Sequence, residues 1–302
     1  MKDQADKLRK VVNDLKLKQF PAAQNLSIKS KTARIITITS GKGGVGKTNI
    51  SVNLAIALSE LGLRVIILDA DFGLANIDVL FGIIPKFTLA DMIHGKRNIF
   101  EILSDGPNNI KFISGGSGVE DLVKLDKNNL EEFLKNISLL DKIADVIIID
   151  TGAGLSDNVM SFIMAADEVL LVTTPEPTSI TDAYALIKMI SNRDRQKIIK
   201  LIVNRSENEK EAKDILDRLC LVADKFLGLD LYPLGYIPQD DSIIKAVKQQ
   251  EPFSLSYPRS HASKHIREIA RKLVETDQGY TEPASDAGVK SFMRKLINFI
   301  KA

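Results

Sequence analysis

Residues 41–49 read GKGGVGKTN, and the first eight of them hold four glycines and two lysines. Gly41, Gly46, Lys47 and Thr48 satisfy the spacing G-x-x-x-x-G-K-[ST], in which a loop turns its backbone N–H groups inward around phosphate oxygens. Gly43, Gly44 and Val45 lie on that loop, and a helix opening at its end adds partial positive charge. Lys47 is placed to meet the β and γ phosphates. Thr48 offers a hydroxyl to Mg²⁺, which keeps most of its other positions for water and phosphate oxygen. The candidate nucleotide contacts run on through Asn49. A second lysine, Lys42, sits inside the loop where one lysine suffices for the phosphates.

A phosphate site of this kind collects its other groups at the carboxyl ends of neighbouring strands. ILDADFGLANID ends an apolar run with Asp69 and Asp71, and IIIDTGAG ends another with Asp150. Three acids at the ends of apolar strands fit a metal and water site.

Strands must therefore carry these loops. Near-continuous Ile, Val and Leu runs begin at Arg34, Arg64, Ile110, Asp145, Glu168, Lys200 and Leu231, as strands buried on both faces do. Helix-length segments such as NISVNLAIALSELG and SITDAYALIKMISN lie between them, at the spacing of βαβ units. The expected fold is α/β, a doubly wound, mainly parallel sheet.

The chain has 302 residues, 44% of them apolar and 26% charged, enough to bury one large core. Forty-one basic residues against 39 acidic ones leave a net charge of +2, which argues against a surface devoted to nucleic acid. Cys220 is the sole cysteine, so neither a disulfide nor a Cys-ligated cluster can form within one chain. This fits a reducing, cytoplasmic setting. No run reaches the roughly 18 apolar residues of a membrane span, and the charged start MKDQADKLRK is not followed by an apolar stretch.

KGGVGKT resembles the deviant Walker A loop of the MinD/ParA family of P-loop ATPases, and the likeness runs from about Arg34 to Leu273. DADFGLANID corresponds to switch I and DTGAG to switch II, followed by TTPEPTSITDAYALIK, VNR and YIPQDDSI. The resemblance implies an ATPase with ATP and Mg²⁺ as cofactors and an ATP-dependent homodimer in which Lys42 reaches the partner's nucleotide. It implies that Lys42, Lys47 and Asp71 are catalytic, Asp71 orienting the attacking water. Asp69 and Asp150 are implied to order the ligands of the metal bound at Thr48. Asn204, beside Pro238 and Asp240, is implied to read the adenine. MinD itself typically has a proline in switch II where this chain has Gly152, a departure from the division-site branch.

The chain ends refine the match. DQADKLRKVVNDL, with Asp3, Gln4 and Arg9, resembles the activator motif of the FlhG (FleN/YlxH) branch. That implies contact with an FlhF-type GTPase, whose hydrolysis it would stimulate, and with flagellar switch proteins. Asp3 can cap a helix whose Leu8, Val11, Val12 and Leu15 form one stripe. At the other end, Phe292, Met293, Leu296, Ile297, Phe299 and Ile300 share an arc of roughly 160° with Val289, opposite a lysine- and arginine-bearing face. An interfacial membrane helix has this pattern, as does a helix docked on its own domain. The expected organisation is an activator helix (1–18), a linker (19–32), the ATPase domain (33–275), a second linker (276–288) and an amphipathic, membrane-targeting helix (289–302). The ATP-bound dimer is expected at an anionic lipid surface on the inner face of the cytoplasmic membrane. Alternatives are a MinD-like division ATPase and a ParA-like DNA-partitioning ATPase. His261 and His265 share a helix face without a third metal ligand.

Overall fold

A computed structural model describes residues 32–71, 76–116, 119–275 and 288–301. The activator helix expected over 1–18 lies outside the described residues, as do both expected linkers except for Thr32 and Gly288.

Among the described residues, eight strands form one sheet: β1 (Arg34–Thr39), β2 (Val65–Ala70), β3 (Ser104–Asp105), β4 (Lys111–Ser114), β5 (Val146–Thr151), β6 (Glu168–Thr173), β7 (Ile198–Ser206) and β8 (Leu231–Pro238). Their spatial order is β3-β4-β2-β5-β1-β6-β7-β8. Every pairing is parallel except β3 with β4. All seven apolar runs became strands. The two-residue β3 is too short to carry any alternation, so the sequence held no pattern for it.

Among the described residues, eight helices of nine residues or more cover the sheet: α1 (Lys47–Glu60), α2 (Lys127–Ile137), α3 (Asp157–Ala165), α4 (Pro177–Arg193), α5 (Glu209–Leu227), α6 (Asp241–Gln249), α7 (His261–Glu275) and α8 (Val289–Lys301). None of the described helices is long and apolar enough to cross a membrane.

The strand residues sort by parity onto two faces, as a pleated backbone requires. Ile36 and Ile38 of β1, Ile67 of β2 and Val146 and Ile148 of β5 pack with α1 and α7. Ile35, Ile66, Leu68, Ile147 and Ile149 point the other way, into a core shared with α2, α3 and α8. Further along, Val169, Leu171, Leu201 and Val203 meet α4 and α5. Both faces are covered, which is why these strands read as unbroken apolar runs.

The terminal helix α8 is docked. Val289, Phe292, Met293, Leu296 and Ile297 are each no more than 3% exposed, and the Phe292 ring lies 6.3 Å from that of Phe162 on α3. Ile300 is partly buried against the same core, while Phe299 remains 41% exposed. Arg294 pairs with Glu131 of α2 at 3.2 Å. The helix start is held by Asp141, whose Oδ1 accepts from Val289 N (3.1 Å) and from Ala33 N (3.0 Å). Most of the apolar side chains expected to face lipid thus face the protein in this state.

Candidate nucleotide site

Parity also builds the site. Asp69 follows Val65 and Ile67 by two-residue steps, and Asp150 follows Val146 and Ile148, so both carboxylates emerge on the α1 face. They are register partners of adjacent strands and are 2% and 1% exposed. Burial, reinforced by the charge of Asp150, pushes the Asp69 carboxyl up to about 7. Burial likewise raises Asp150 to about 6, against hydrogen bonds from Ser51 and Thr48 and the charge of Lys47. The Lys47 ammonium is buried among these acids; desolvation lowers its pKa while Asp150 and Asp71 oppose the shift. Two buried carboxylates with one buried ammonium leave room for a further cation, and the donor set is all oxygen, as Mg²⁺ requires.

Asp69 has a second task. Its Oδ1 accepts from Asp71 N at 3.0 Å and its Oδ2 from Asn76 N at 3.1 Å and Ile77 N at 3.3 Å. It ties Asp71, Asn76 and Ile77 to the end of β2. A Cβ added at Gly152 of the β5 loop would sit 3.6 Å from Asp71 Oδ1, so the two loops meet at this carboxylate.

The glycine-rich loop is fixed by close backbone approaches. Gly46 caps α1 in the left-handed region, φ 94°, and a Cβ there would lie 2.5 Å from Asn204 Nδ2. Gly41 lies against α4, where a Cβ would come within 2.3 Å of the Asp182 carbonyl oxygen. Gly154 N donates to Ser40 O at 3.0 Å and ties the β5 loop to the phosphate loop.

Asn204, at the end of β7, donates Nδ2 to Val45 O at 2.7 Å. Its side chain therefore braces the phosphate loop. Pro238 closes β8 opposite Ser206. Asp240 is committed to two helix starts: Oδ1 accepts from Ser242 N at 2.9 Å and Oδ2 from Ala262 N at 3.1 Å. It shapes the loop beside Asn204 by capping α6 and α7.

Lys42 points away from the acids. Its Nζ lies 2.6 Å from Glu176 Oε2 and 2.9 Å from Thr178 Oγ1, at the start of α4 in the same chain. Sequence reading gave no role to Glu176 or Thr178, although both belong to the TTPEPT stretch. It also missed Ser51, whose Oγ donates to Asp150 Oδ1 at 2.7 Å. The signal for Ser51 was its spacing of three and four residues from Thr48 and Lys47 on one helix face.

The remaining candidates sit elsewhere. His265 stacks on Tyr236 at 4.4 Å, and no group of three or more potential metal ligands occurs among the described residues. Cys220 is half-buried against the α4 and α5 core, its Sγ 3.8 Å from Leu231 O.

The family model described as ParA, NUBPL iron-transfer P-loop NTPase, matches residues 31–274. The antiactivator FleN of Pseudomonas aeruginosa is 41% identical over 265 residues, 87% of this chain and 93% of FleN. The flagellum site-determining protein YlxH of Helicobacter pylori is 34% identical over 302 residues, 99% of this chain and all of YlxH. Among solved structures, the septum site-determining protein MinD of Pyrococcus horikoshii, complexed with Mg-ADP, superposes with a TM-score of 0.64. It is 29% identical and covers 81% of this chain and 97% of its own.

Proposed function

From its membership of the ParA/MinD family of P-loop NTPases, among the relatives of FleN and YlxH, we propose that this chain is an Mg²⁺-dependent ATPase regulating flagellar number or placement. The observation that carries the reading is the convergence of Lys47, Asp69, Asp71 and Asp150 beside a phosphate loop whose second lysine faces outward. The backbone amides of residues 43–47 would hold phosphate oxygens, with Lys47 countering their charge. Thr48 would bind Mg²⁺, whose charge supplies the polarisation of the phosphoryl oxygens. Asp71, at the meeting of the two switch loops, holds the attacking water in line. The horikoshii relative's Mg-ADP complex supports this choice of ligand.

Lys42 crosses to a partner copy's nucleotide in the ATP-bound homodimer, where two triphosphates facing one another need added cations. Dimerisation brings two terminal helices to one side, and paired weak lipid anchors bind far more tightly than one. Membrane residence at an anionic inner-membrane surface then requires α8 to leave its dock. The name of YlxH, a flagellum site-determining protein, supports the flagellar assignment, and the resemblance of the DQADKLR stretch to the FlhG activator motif adds an FlhF-type GTPase stimulated through Asp3, Gln4 and Arg9 and contact with flagellar switch proteins.

ATP hydrolysis by the intact chain, measured with and without FlhF-type GTPase and anionic liposomes, tests the reading. Lys42→Ala and Asp71→Ala should each abolish turnover, and full activity in both variants would overturn the site. Deleting the gene should change flagellar count without producing minicells; the reverse outcome would favour a division-site role.

A further inference from the structure

The helix that follows the phosphate loop is buried on nearly every side, and Ile50, Val52, Leu54 and Ala55 show why. Two polar side chains interrupt that run at 0% exposure, Ser51 and Asn53. Asn53 is accounted for by packing: its Oδ1 accepts from Ser254 N at 2.8 Å and its Nδ2 donates to Asn49 O at 2.7 Å. It clamps the short helix Phe253–Ser256 to α1. Ser51 instead reaches strand β5. Its hydroxyl lies 2.7 Å from Asp150 Oδ1 and 3.1 Å from Lys47 O.

One hydroxyl proton cannot serve both acceptors fully. The shorter contact runs to a carboxylate, where a hydrogen bond is roughly twice as strong as to a neutral oxygen, so the proton belongs to Asp150. A serine bonded back to the preceding turn slightly weakens a helix relative to alanine. At a dry, fully enclosed helical position, what justifies the hydroxyl is the carboxylate it holds.

Asp150 lies beside Asp69 of the neighbouring strand, within reach of the Lys47 charge at the start of α1. Ser51 anchors Asp150 from the α1 side.

We propose that Ser51 is a positioning residue for the magnesium site, its hydroxyl fixing the orientation of Asp150, the carboxylate paired with Asp69 beside the phosphate loop. This rests on the Mg²⁺-ATPase reading above. The groups that orient a metal's direct ligands typically change affinity or activity about 10–100-fold when removed.

The test is thermal unfolding of the full chain with ADP alone and with ADP across a Mg²⁺ titration. Native protein is compared with Ser51→Ala, Ser51→Cys and Ser51→Thr. Cysteine fills the serine's space with a weak donor, and threonine keeps the hydroxyl. ADP alone should stabilise all variants equally, because the phosphate loop is untouched. The Mg²⁺ concentration giving half of the further shift should rise about ten-fold in Ser51→Ala and Ser51→Cys and return toward native in Ser51→Thr. In turnover assays the same two variants should lose kcat with an unchanged KM for ATP. Equal Mg²⁺ midpoints in native, Ala and Cys proteins would overturn the proposal, and so would a loss of stability that is the same under every ligand condition. If threonine does not fold, the alanine and cysteine pair still decides. Native protein that gains nothing from Mg²⁺ would instead overturn the Mg²⁺-ATPase reading itself.

Discussion

Lys42 Nζ sits 2.6 Å from Glu176 Oε2 within a single chain, so the lysine expected to cross between protomers is tethered at home in the monomer. The pair is solvent-exposed, with side chains 37% and 56% accessible, and exposed pairs are easily exchanged. Lys42 draws the Glu176 carboxyl below its ordinary range. Replacing Glu176 with Gln should leave Lys42 freer and raise the ATP-dependent dimer fraction by at most a few fold, whereas Lys42→Ala should abolish it. Light scattering with ATP under conditions that block hydrolysis reads both outcomes. A dimer unaffected by Lys42→Ala would sink the assignment.

The paired acids predict a pH dependence. Asp69 is held up to about 7 by burial and by Asp150, above its value in the unfolded chain. Its contribution to stability is therefore fully present below the unfolded pKa and is lost as pH rises through about 7. Nucleotide-free protein should gain about 1 kcal/mol per pH unit from this group on acidification from pH 7 toward 5. Asp150→Asn removes one neighbouring charge and should move that rise to lower pH. Denaturant melts across the pH series, native against variant, check the sign.

Gly46 and Asn204 are coupled through space. Gly46→Ala adds left-handed strain of about 1–2 kcal/mol and drives a methyl to 2.5 Å from Asn204 Nδ2. It should eliminate nucleotide-induced stabilisation. Asn204→Ala removes the colliding atom but also the bond to Val45 O. The double variant should therefore be more stable than the sum of the two single losses, with a coupling of about 1 kcal/mol or more. Strict additivity would show that the two residues do not meet.

The dock of the terminal helix should fail at Asp141. One oxygen caps α8 through Val289 N and holds Ala33 N before β1. Asp141→Ala should cost about 1–2 kcal/mol, the usual range for a lost helix cap, and speed amide exchange over residues 289–301. Asp141→Asn keeps an acceptor oxygen and should lie between. If undocking limits lipid binding, the alanine variant should also pellet more readily with anionic vesicles. Unchanged exchange over α8 would rule out Asp141 as the clasp.

The order of side chains along the chain was enough for the phosphate loop, the seven main strands and the amphipathic terminal helix. Loop spacing, two-fold strand alternation and helical periodicity are local properties, and each survives whatever the rest of the chain does. Asp69 and Asp150 were legible as acids ending apolar strands, but their common face depends on β2 and β5 being neighbours in the observed register. That adjacency is not local. Strand order, the bond from Ser51 to Asp150, the hold of Glu176 on Lys42, the brace from Asn204 to Val45 and the bond from Ala262 to Asp240 join residues distant in sequence. Such contacts depend on how the helices pack across the sheet. The terminal helix shows the division most plainly: its periodicity gave an apolar face, but that face suits lipid and protein alike. The groove beside α2 and α3, and Asp141 at its mouth, decided that in this state it turns inward.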